Sequence, residues 1–377
     1  MIETQKKLRT AVIGLGRIGW QFHLPQITQK DEFELVAVVD TLSERLIDAA
    51  KQYQVKGYCE YSKMLKEQQP DLVVVASPTP FHKEHSIASF EAGCDVLCEK
   101  PVSMNLDQFK DILYAAKKHG RKFMTYQPYR AYKETIALKD ILSRNIIGPV
   151  YMMRRNWFEY TRRNDWQSLK KFGGGMLNNY GAHFVDQLLY LSDYKAEKIS
   201  CVTRNLISPG DAEDFVKILI ETQQKTLLDI EINLACPQPL PIWQILGRYG
   251  SIIMNDAAQS WEVKYCKPQE MSSIEVKSDL AAEGRLYRKD ADIKWNTEMV
   301  PFSAYQAIDY YDKCYEYFAM DMPPFVPVEQ TYELMRTLER CGEIGRSCDK
   351  AEKTDLSDDY METKKSRNVK LEVTNHR

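Results

Sequence analysis

Residues 10–19 read T-A-V-I-G-L-G-R-I-G, a short apolar run that leads directly into glycines spaced G-x-G-x-x-G. The apolar run at 10–14 is typical of a buried parallel strand, and a helix pattern follows it. Gly14 permits the tight turn, Gly16 lets a pyrophosphate approach the backbone, and Gly19 lets the helix pack on the strand. Strand, glycines and helix in this order predict a dinucleotide-binding turn.

An acidic residue stands where such a turn needs one. The next apolar run, residues 33–40, ends in Asp40, about 20 residues beyond the last glycine, where a ribose-binding acid belongs. Its carboxylate can accept hydrogen bonds from both ribose hydroxyls and would repel a 2′-phosphate, so NAD is favoured over NADP. Arg45 lies nearby and would soften that exclusion. A glycine turn without a ligand, with Asp40 facing solvent, is the alternative interpretation.

Strands and helices alternate through the first third of the chain. This order predicts right-handed βαβ units and a parallel, doubly wound sheet in a first domain, residues 1–128. The predicted strands are 10–14, 33–40, 71–76, 95–98 and 122–126, and the predicted helices include 43–53 with Ser43 as N-cap, 83–92 and 106–119.

The pattern changes after residue 128. Short strands separated by turns predict a second α/β domain, residues 129–347, with an open, largely antiparallel sheet flanked by a helix at 177–191. The predicted strands are 150–160, 198–205, 214–221, 227–236, 244–246, 250–254 and 260–265, and the other predicted helices are 134–143, 305–319 and 328–346. Residues 348–377 are charged and poor in aromatic residues, which predicts a disordered tail.

Composition excludes several classes of protein. The 377 residues carry a formal net charge of -2, which gives no long-range attraction to nucleic acid or an anionic membrane. No apolar run approaches the ~20 residues of a membrane span, and the start of the chain has no secretory pattern, so we expect a cytoplasmic protein. Nine cysteines without C-x-x-C pairs indicate reduced thiols. His82 and His85 are spaced i, i+3, but no cluster has convincing metal-ligand spacing, so no metal is predicted.

A series of short motifs follows the glycine turn in a fixed order. They are Ser77-Pro78-Thr79-Pro80-Phe81-His82, Glu91-Ala92-Gly93, Cys98-Glu99-Lys100-Pro101, Tyr126-Gln127-Pro128-Tyr129-Arg130, Asp165-Trp166 and the stretch 173–186, G-G-G-M-L-N-N-Y-G-A-H-F-V-D. In order and spacing this series resembles the Gfo/Idh/MocA oxidoreductases, the family of glucose–fructose oxidoreductase and inositol dehydrogenase, over roughly residues 8–347. The resemblance implies a Rossmann domain, a second domain whose open sheet forms a homodimer or homotetramer, and a sugar-like substrate held between them over a nicotinamide.

The resemblance also implies catalytic roles. Lys100 matches the family lysine and would exchange a proton with the substrate oxygen; the Lys100-Pro101 bond is a candidate cis peptide. His183 matches the family histidine and would assist as a proton relay. Many members carry an aspartate where this chain has Asn179, and an asparagine can orient an imidazole or hold a hydroxyl but cannot accept a proton. Asp186, on the same helix face as His183, is an alternative partner for it.

Two sets of binding residues follow from the motifs. The cofactor set is Gly14, Gly16, Arg17, Ile18, Gly19, Asp40, Arg45, Ser77, Pro78, Thr79, His82, Glu99, Lys100 and Gln127. The substrate set is Lys100, Tyr129, Arg130, Trp157, Trp166, Asn179, Tyr180 and His183, with Phe158 and Tyr160 extending an aromatic wall and Arg130, Arg154 and Arg163 as candidates for recognising an acid or a phosphate. Sugar C–H faces stack on such aromatic rings.

These assignments predict an NAD-dependent oxidoreductase that moves a hydride between nicotinamide and a hydroxyl-bearing carbon of a sugar, polyol or glycoside. Two alternatives stay open. One is redox-neutral cleavage of a glycoside through a keto-sugar, which would release aglycone without net NADH. The other is a non-catalytic NAD or sugar sensor of the same fold, which would bind NAD without turnover.

Overall fold

The computed structural model describes residues 7–192, 195–274, 276 and 293–345, so the predicted tail at 348–377 lies outside the described residues. In chain order the strands are β1 Leu8–Ile13, β2 Phe33–Val39, β3 Lys56–Tyr58, β4 Leu72–Val75, β5 Asp95–Cys98, β6 Phe123–Thr125, β7 Val150–Phe158, β8 Ala196–Arg204, β9 Phe215–Thr222, β10 Leu227–Asn233, β11 Trp243–Gly247, β12 Gly250–Asn255, β13 Ser260–Tyr265 and β14 Asn296–Pro301. The helices are α1 Leu24–Thr28, α2 Ser43–Tyr53, α3 Tyr61–Gln68, α4 His82–Glu91, α5 Leu106–Lys118, α6 Lys133–Ser143, α7 Ala182–Leu191, α8 Tyr310–Met320 and α9 at 328–345.

The first six strands form a parallel sheet in the order β3-β2-β1-β4-β5-β6. The central strands are almost continuously apolar and buried, as strands covered on both faces by helices must be. The direction of the strand order reverses between β1 and β4, and ligands of open α/β sheets bind at the carboxyl ends of the strands beside such a point. The predicted doubly wound fold is confirmed.

The other eight strands form a second sheet in the order β14-β13-β12-β11-β7-β10-β9-β8. Only β7 and β10 pair in parallel, so the predicted largely antiparallel sheet is also confirmed. Helix α7 packs on β7 and β10, and α6 packs on β13. The opposite face carries the alternate residues of each strand: on β9, Ile218 and Ile220 are buried whereas Leu219 between them is exposed.

Three details of the predicted elements were wrong. Ser43 does not cap α2; Leu42 occupies the N-cap position, and its N–H donates to Asp40 Oδ1 at 2.9 Å, so Asp40 closes this turn. The helix predicted from Tyr305 begins at Tyr310, because the side chain of Asp309 accepts from the N–H groups of Tyr311 and Asp312. The short elements β3, α3 and β14 were not predicted.

Helix α8 follows the second sheet in sequence but packs on the first. Its residues Tyr310, Tyr311, Cys314, Tyr315 and Phe318 join one hydrophobic cluster with β1, β2, β4 and β5. Lys122, next to β6, donates to the carbonyl oxygens of Tyr317 and Phe318 at 2.8 and 3.2 Å. The last third of the chain therefore contributes directly to the core of the nucleotide-binding sheet.

Some sequence expectations concern absences. Among the described helices, none is long and apolar enough to cross a membrane. The cysteines that the structure describes are free, and within the same residues no group of three or more His, Cys, Asp or Glu side chains is placed to hold a metal ion.

Candidate active site

The glycine turn has the shape that a dinucleotide needs. A Cβ at Gly14, whose φ is +101°, would lie 2.6 Å from the backbone of Ala76 and Ser77, and a Cβ at Gly19 would lie 2.0 Å from the carbonyl oxygen of Gly14. A Cβ at Gly16 would meet nothing within 4 Å. The fold itself therefore requires Gly14 and Gly19, whereas Gly16 leaves open space over the turn, where a phosphate would sit.

Asp40 fixes this turn to the end of β2. Its Oδ2 accepts from Leu15 N at 2.8 Å and from Arg45 Nη1 at 3.1 Å, and the carboxylate is buried beside the turn. Arg45 thus pairs directly with the acid that was predicted to bind ribose. Asp40 and Arg45 both lie beside the glycine turn, and the positive charge of Arg45 partly offsets the negative charge of the Asp40 carboxylate.

His82 joins two loops of the cofactor domain. Its Nδ1 lies 2.9 Å from the carbonyl oxygen of Pro101, and its Nε2 lies 2.6 Å from that of Ser77. Burial lowers the pKa of His82 more strongly than these carbonyl contacts raise it. The ring therefore lies between the Ser77–Thr79 loop and the Lys100-Pro101 segment, whose peptide bond is cis, and its one N–H donates to one of the two carbonyl oxygens.

Gln127 supplies a polar group without a protein partner. The residue is almost fully buried after β6, and within the described part of the chain neither its Oε1 nor its Nε2 has a hydrogen-bond partner. Unpaired buried amides are rare and costly, so a ligand group is the natural partner. With the open cradle at Gly16 and the acid at Asp40, this orphaned amide fits NAD, and the cofactor set would hold it along the carboxyl ends of the strands.

Lys100 lies where the two sheets meet. Its Nζ donates to the backbone oxygen of Asn179 at 2.9 Å and approaches the Oδ1 of Asn179 at 3.4 Å. Burial lowers the pKa of Lys100 to about 8; the nearby Glu99 opposes this shift, and Arg17 adds to it. An amine with this pKa can both take up and release a proton near neutral pH.

Gln167, which the sequence analysis missed, orients Asn179. The Asn179 Nδ2 donates to Gln167 Oε1 at 3.1 Å, which leaves Oδ1 turned toward Lys100. The glycine loop makes this possible: a Cβ at Gly174 would lie 2.4 Å from the Gln167 carbonyl oxygen. Nothing in the spacing of Gln167 and Asn179 signals this contact, because the irregular loop between them decides it.

His183 is a neutral ring in this site. It is buried at the start of α7 and stacks on Tyr129 with ring centroids 4.2 Å apart and an interplanar angle of 9°. Burial lowers its pKa well below the usual value, and the positive charges of Lys100 and Arg155 lower it further. Its Nδ1 has no hydrogen-bond partner among the described residues. A neutral imidazole here can donate or accept a hydrogen bond but does not carry charge at physiological pH.

Arg130 and Asp186 form a buried ion pair with each other and do not line the cleft. The guanidinium donates through Nε and Nη2 to the two carboxylate oxygens of Asp186 at 2.8 and 2.6 Å, and through Nη1 to Gln330 at 2.6 Å. Both side chains are almost fully buried. The expectation that Arg130 contacts substrate does not fit this geometry, and Asp186 is not free to serve as the partner of His183.

The other candidate arginines are also engaged. Arg154 contacts Asp229 at 3.3 Å and Gln244 at 2.7 Å across neighbouring strands of the second sheet. Arg163 forms a two-point ion pair with Asp165, next to Trp166. Neither arrangement favours the expected role in recognising an acid or phosphate.

Aromatic rings form one wall beside Lys100 and His183. Trp157 stacks on Tyr180 with centroids 5.0 Å apart, and Phe184 lies between this pair and Tyr129. The indole N–H of Trp157 is buried without a partner among the described residues. The predicted substrate residues Tyr129, Trp157, Asn179, Tyr180 and His183 therefore come together. Trp166 and Tyr160 are exposed, and Phe158, half-buried, has no ring contact with this group among the described residues.

Comparison with known proteins identifies the family. Residues 8–127 match the NAD-binding Rossmann-fold model of an oxidoreductase family, GFO_IDH_MocA, and residues 135–253 match the C-terminal domain model of the same family. The chain belongs to the Gfo/Idh/MocA oxidoreductase family. The family resemblance drawn from the motifs is thereby confirmed, as is NAD as the cofactor of the first domain.

Two of the similar proteins are named as dehydrogenases of a glucoside and of inositol. D-Glucoside 3-dehydrogenase of Escherichia coli is 31% identical over 205 residues, which are 52% of this chain and 57% of that protein. Inositol 2-dehydrogenase of Klebsiella pneumoniae is 27% identical over 250 residues, 64% of this chain and 72% of that protein. The crystal structure of an NAD-binding protein from Listeria innocua superposes with a TM-score of 0.80 at 26% identity, covering 91% of this chain and 98% of the other. The chain thus spans little more than half the length of the E. coli relative.

Proposed function

We propose that this Gfo/Idh/MocA protein is an NAD-dependent dehydrogenase that oxidises a hydroxyl-bearing carbon of a sugar, polyol or glycoside and catalyses the reverse reduction. The observation that carries the proposal is Lys100, whose amine lies against Asn179 beside the aromatic wall and has its pKa lowered to about 8. Alcohol oxidation requires a base near the hydroxyl, and a lysine with a pKa near the working pH meets that requirement.

The side chains divide the chemistry between them. NAD, held by the cofactor set, would supply the acceptor for the hydride that leaves the substrate carbon. The neutral amine of Lys100 takes the hydroxyl proton as the carbonyl forms, and in reverse the ammonium returns a proton to the carbonyl oxygen. His183, uncharged and stacked on Tyr129, hydrogen-bonds the same or a neighbouring oxygen. Asn179 holds Lys100 and orients the substrate but does not accept a proton.

The aromatic wall beside Lys100 and His183 supports a substrate of the sugar or polyol class. The stacked pairs Tyr129–His183 and Trp157–Tyr180 offer aromatic faces to the C–H side of a ring. The unpaired nitrogens of Trp157 and His183 offer hydrogen bonds to hydroxyl groups. Apolar faces combined with a few fixed polar groups suit a polyhydroxylated ring, and the named relatives support the same class.

The experiment is an absorbance assay for NADH with NAD and a panel of inositols, aldoses, sugar acids and glycosides. We expect NADH to form with one class of the panel. Lys100→Met should lower kcat by roughly 100- to 10,000-fold, the contribution of a general acid–base group, while NAD still binds in a calorimetric titration. Lys110→Met, which removes an exposed lysine of α5, is the matched control and should keep full activity.

Two results would count against the proposal. If Lys100→Met keeps its turnover, Lys100 is not the general acid–base group. If no compound of the panel produces NADH although NAD is bound, redox-neutral glycoside cleavage is favoured. That reaction is measured with a glycoside substrate, as aglycone released without net NADH. Silence in that assay too would leave the sensor interpretation.

A further inference from the structure

A buried hydrogen-bonded chain ends at the residue before the active-site lysine. The hydroxyl of Tyr311 lies 2.8 Å from His23 Nδ1, and His23 Nε2 lies 3.0 Å from Glu99 Oε1. The second carboxylate oxygen of Glu99 accepts from the backbone N–H of Lys100 at 3.1 Å. Tyr311 and His23 are fully buried and Glu99 is 7% exposed. The mechanism above does not use Tyr311 or His23.

The chain joins distant parts of the sequence. His23 ends the π-helical turn that follows the glycine motif, Glu99 follows β5, and Tyr311 lies in the first turn of α8. Helix α8 lies outside the residues that the family models match, 8–127 and 135–253. A residue that neither family model covers thus reaches back to the motif that carries the acid–base lysine.

We propose that Tyr311, acting through His23, is a positioning residue for the Glu99–Lys100 pair. The proposal rests on the proposed function, because it gives these residues a role in setting the lysine that the reaction uses. Neither Tyr311 nor His23 touches the reacting atoms, so both act through Glu99.

The order of donors explains why Tyr311 matters. A carboxylate only accepts hydrogen bonds, so the ring nitrogen that faces Glu99 must carry the proton. A neutral imidazole has one N–H, and Nδ1 is then the acceptor for the Tyr311 hydroxyl. Glu99 fixes the proton on Nε2, and the hydroxyl of Tyr311 holds the other side of the ring through Nδ1. Without that hydroxyl the ring loses one of its two side-chain hydrogen bonds and can turn away from Glu99, so Tyr311 fixes the orientation of His23 that holds the carboxylate.

The carboxylate in turn acts on the lysine. Burial lowers the pKa of Lys100 most strongly; among the charges that face the amine, Glu99 raises the pKa and Arg17 lowers it, and His183 is neutral. The titratable groups that face Glu99 are His23, His82, Cys98, Tyr126, Tyr132 and Tyr311. Only His23 donates a hydrogen bond from a side chain to Glu99 among the described contacts. If that hydrogen bond is lost, the carboxylate can turn away from Lys100, its charge then opposes the effect of burial less strongly, and the pKa of Lys100 falls.

The test reads the lysine directly and needs no substrate. Lysines are reductively dimethylated with ¹³C-formaldehyde and a borane reductant, and the Lys100 methyl signal, identified by its absence in Lys100→Met, is titrated by NMR without cofactor. In Tyr311→Phe we expect its midpoint to fall by roughly 0.5 to 1 pH unit, part of the shift that removal of a neighbouring charge produces. Glu99→Gln should lower it at least as far, and Tyr311→Phe should add nothing in the Glu99→Gln background.

A matched control separates positioning from a general packing effect. Tyr58 is buried on β3, the edge strand of the first sheet, and its hydroxyl donates to Glu67 on α3 at 3.0 Å. Tyr58→Phe removes the same kind of hydrogen bond and should leave the Lys100 midpoint unchanged. An unchanged midpoint in Tyr311→Phe, in a variant that melts cooperatively, would overturn the proposal, as would equal shifts in Tyr311→Phe with and without Glu99. A shifted midpoint in a protein that oxidises nothing on the panel would contradict only the proposed function.

Discussion

From the roles proposed for Lys100 and Asn179, we expect the activity to depend on pH in a defined direction. Oxidation needs the neutral amine, so kcat/KM for oxidation should rise as pH passes through the pKa of Lys100, about 8. Reduction needs the ammonium, so kcat/KM for reduction should fall over the same range. Asn179 contributes no charge to this balance, which distinguishes the site from members that carry an aspartate here.

Asn179→Asp should move the oxidation profile to higher pH. The new carboxylate would stand near Lys100 Nζ, which now approaches the Asn179 Oδ1 at 3.4 Å. A negative charge this close favours the ammonium and raises its pKa, by about 1 unit or more. Profiles of kcat/KM against pH for both proteins measure the shift. A profile that stays in place or moves to lower pH would show that Lys100 is not the group that titrates.

At the scale of elements, the glycine turn separates what the fold needs from what the cofactor needs. Gly16→Ala should leave the thermal midpoint of the apoprotein within about 1 °C, because the added Cβ meets no atom within 4 Å. The same methyl group would stand where the pyrophosphate approaches, so NAD should bind at least 10-fold more weakly.

Gly19→Ala is the contrasting variant. Its Cβ would lie 2.0 Å from the Gly14 carbonyl oxygen, so the apoprotein itself should lose stability. Calorimetric titration with NAD and thermal melts of both variants supply the two measurements. If Gly16→Ala bound NAD as tightly as the parent protein, the turn would not be the phosphate cradle.

Elements marked by an apolar run, an apolar period or a terminal glycine could be predicted from the sequence, and elements without such a mark could not. The strand at 95–98 and the helices at 43–53 and 106–119 were predicted within a residue, because apolar patterns mark all three and Gly120 marks the end of the last. Three-residue β3 has no period, and β14 follows a long charged stretch that hides it. Helix α8 starts five residues after the predicted position, because the prediction overlooked the Asp309 cap.

The candidate site was predictable where motifs carry it. Lys100, Asn179 and His183 belong to recognisable runs of sequence, and the structure brings them together. Gln167 and Tyr311 were missed because their partners are 12 and 288 residues away and no local pattern records such contacts. Arg130 was misjudged for the same reason: its partner Asp186 is 56 residues distant, and burial of the pair is visible only in the fold.

At the scale of the whole molecule, the candidate active site is assembled from elements on both sheets. The first sheet presents Lys100 at the end of β5, and the turn before α7 on the second sheet presents Asn179. Helix α8 returns from the second sheet to the core of the first and ties the two parts together. Relative movement of the sheets would separate Lys100 from Asn179.

The open face of the second sheet is the surface for which a partner is expected. One row of side chains crosses seven strands on this face, in the order Leu219, Asp229, Arg154, Gln244, Ile253, Glu262 and Met299. The charges in its middle are paired, since Lys217 and Arg154 contact Asp229 at 2.6 and 3.3 Å. Its ends, Leu219 and Met299, are exposed apolar groups. Paired charges between apolar ends suit contact with a second copy of the same face.

We therefore predict a homo-oligomer that Leu219→Glu weakens. In a two-fold interface both subunits contribute the same surface, so one substitution places two new carboxylates in the contact. Each carboxylate is buried without a partner or repels the other. Light scattering after size exclusion should give a dimer or tetramer for the parent protein and a smaller species for the variant, with NAD binding retained. Ile47→Glu, which places the same charge at an exposed aliphatic position of α2, should leave the mass unchanged. A parent protein that is monomeric at tens of micromolar, or an Ile47→Glu variant that dissociates as readily, would show that this face is not the interface.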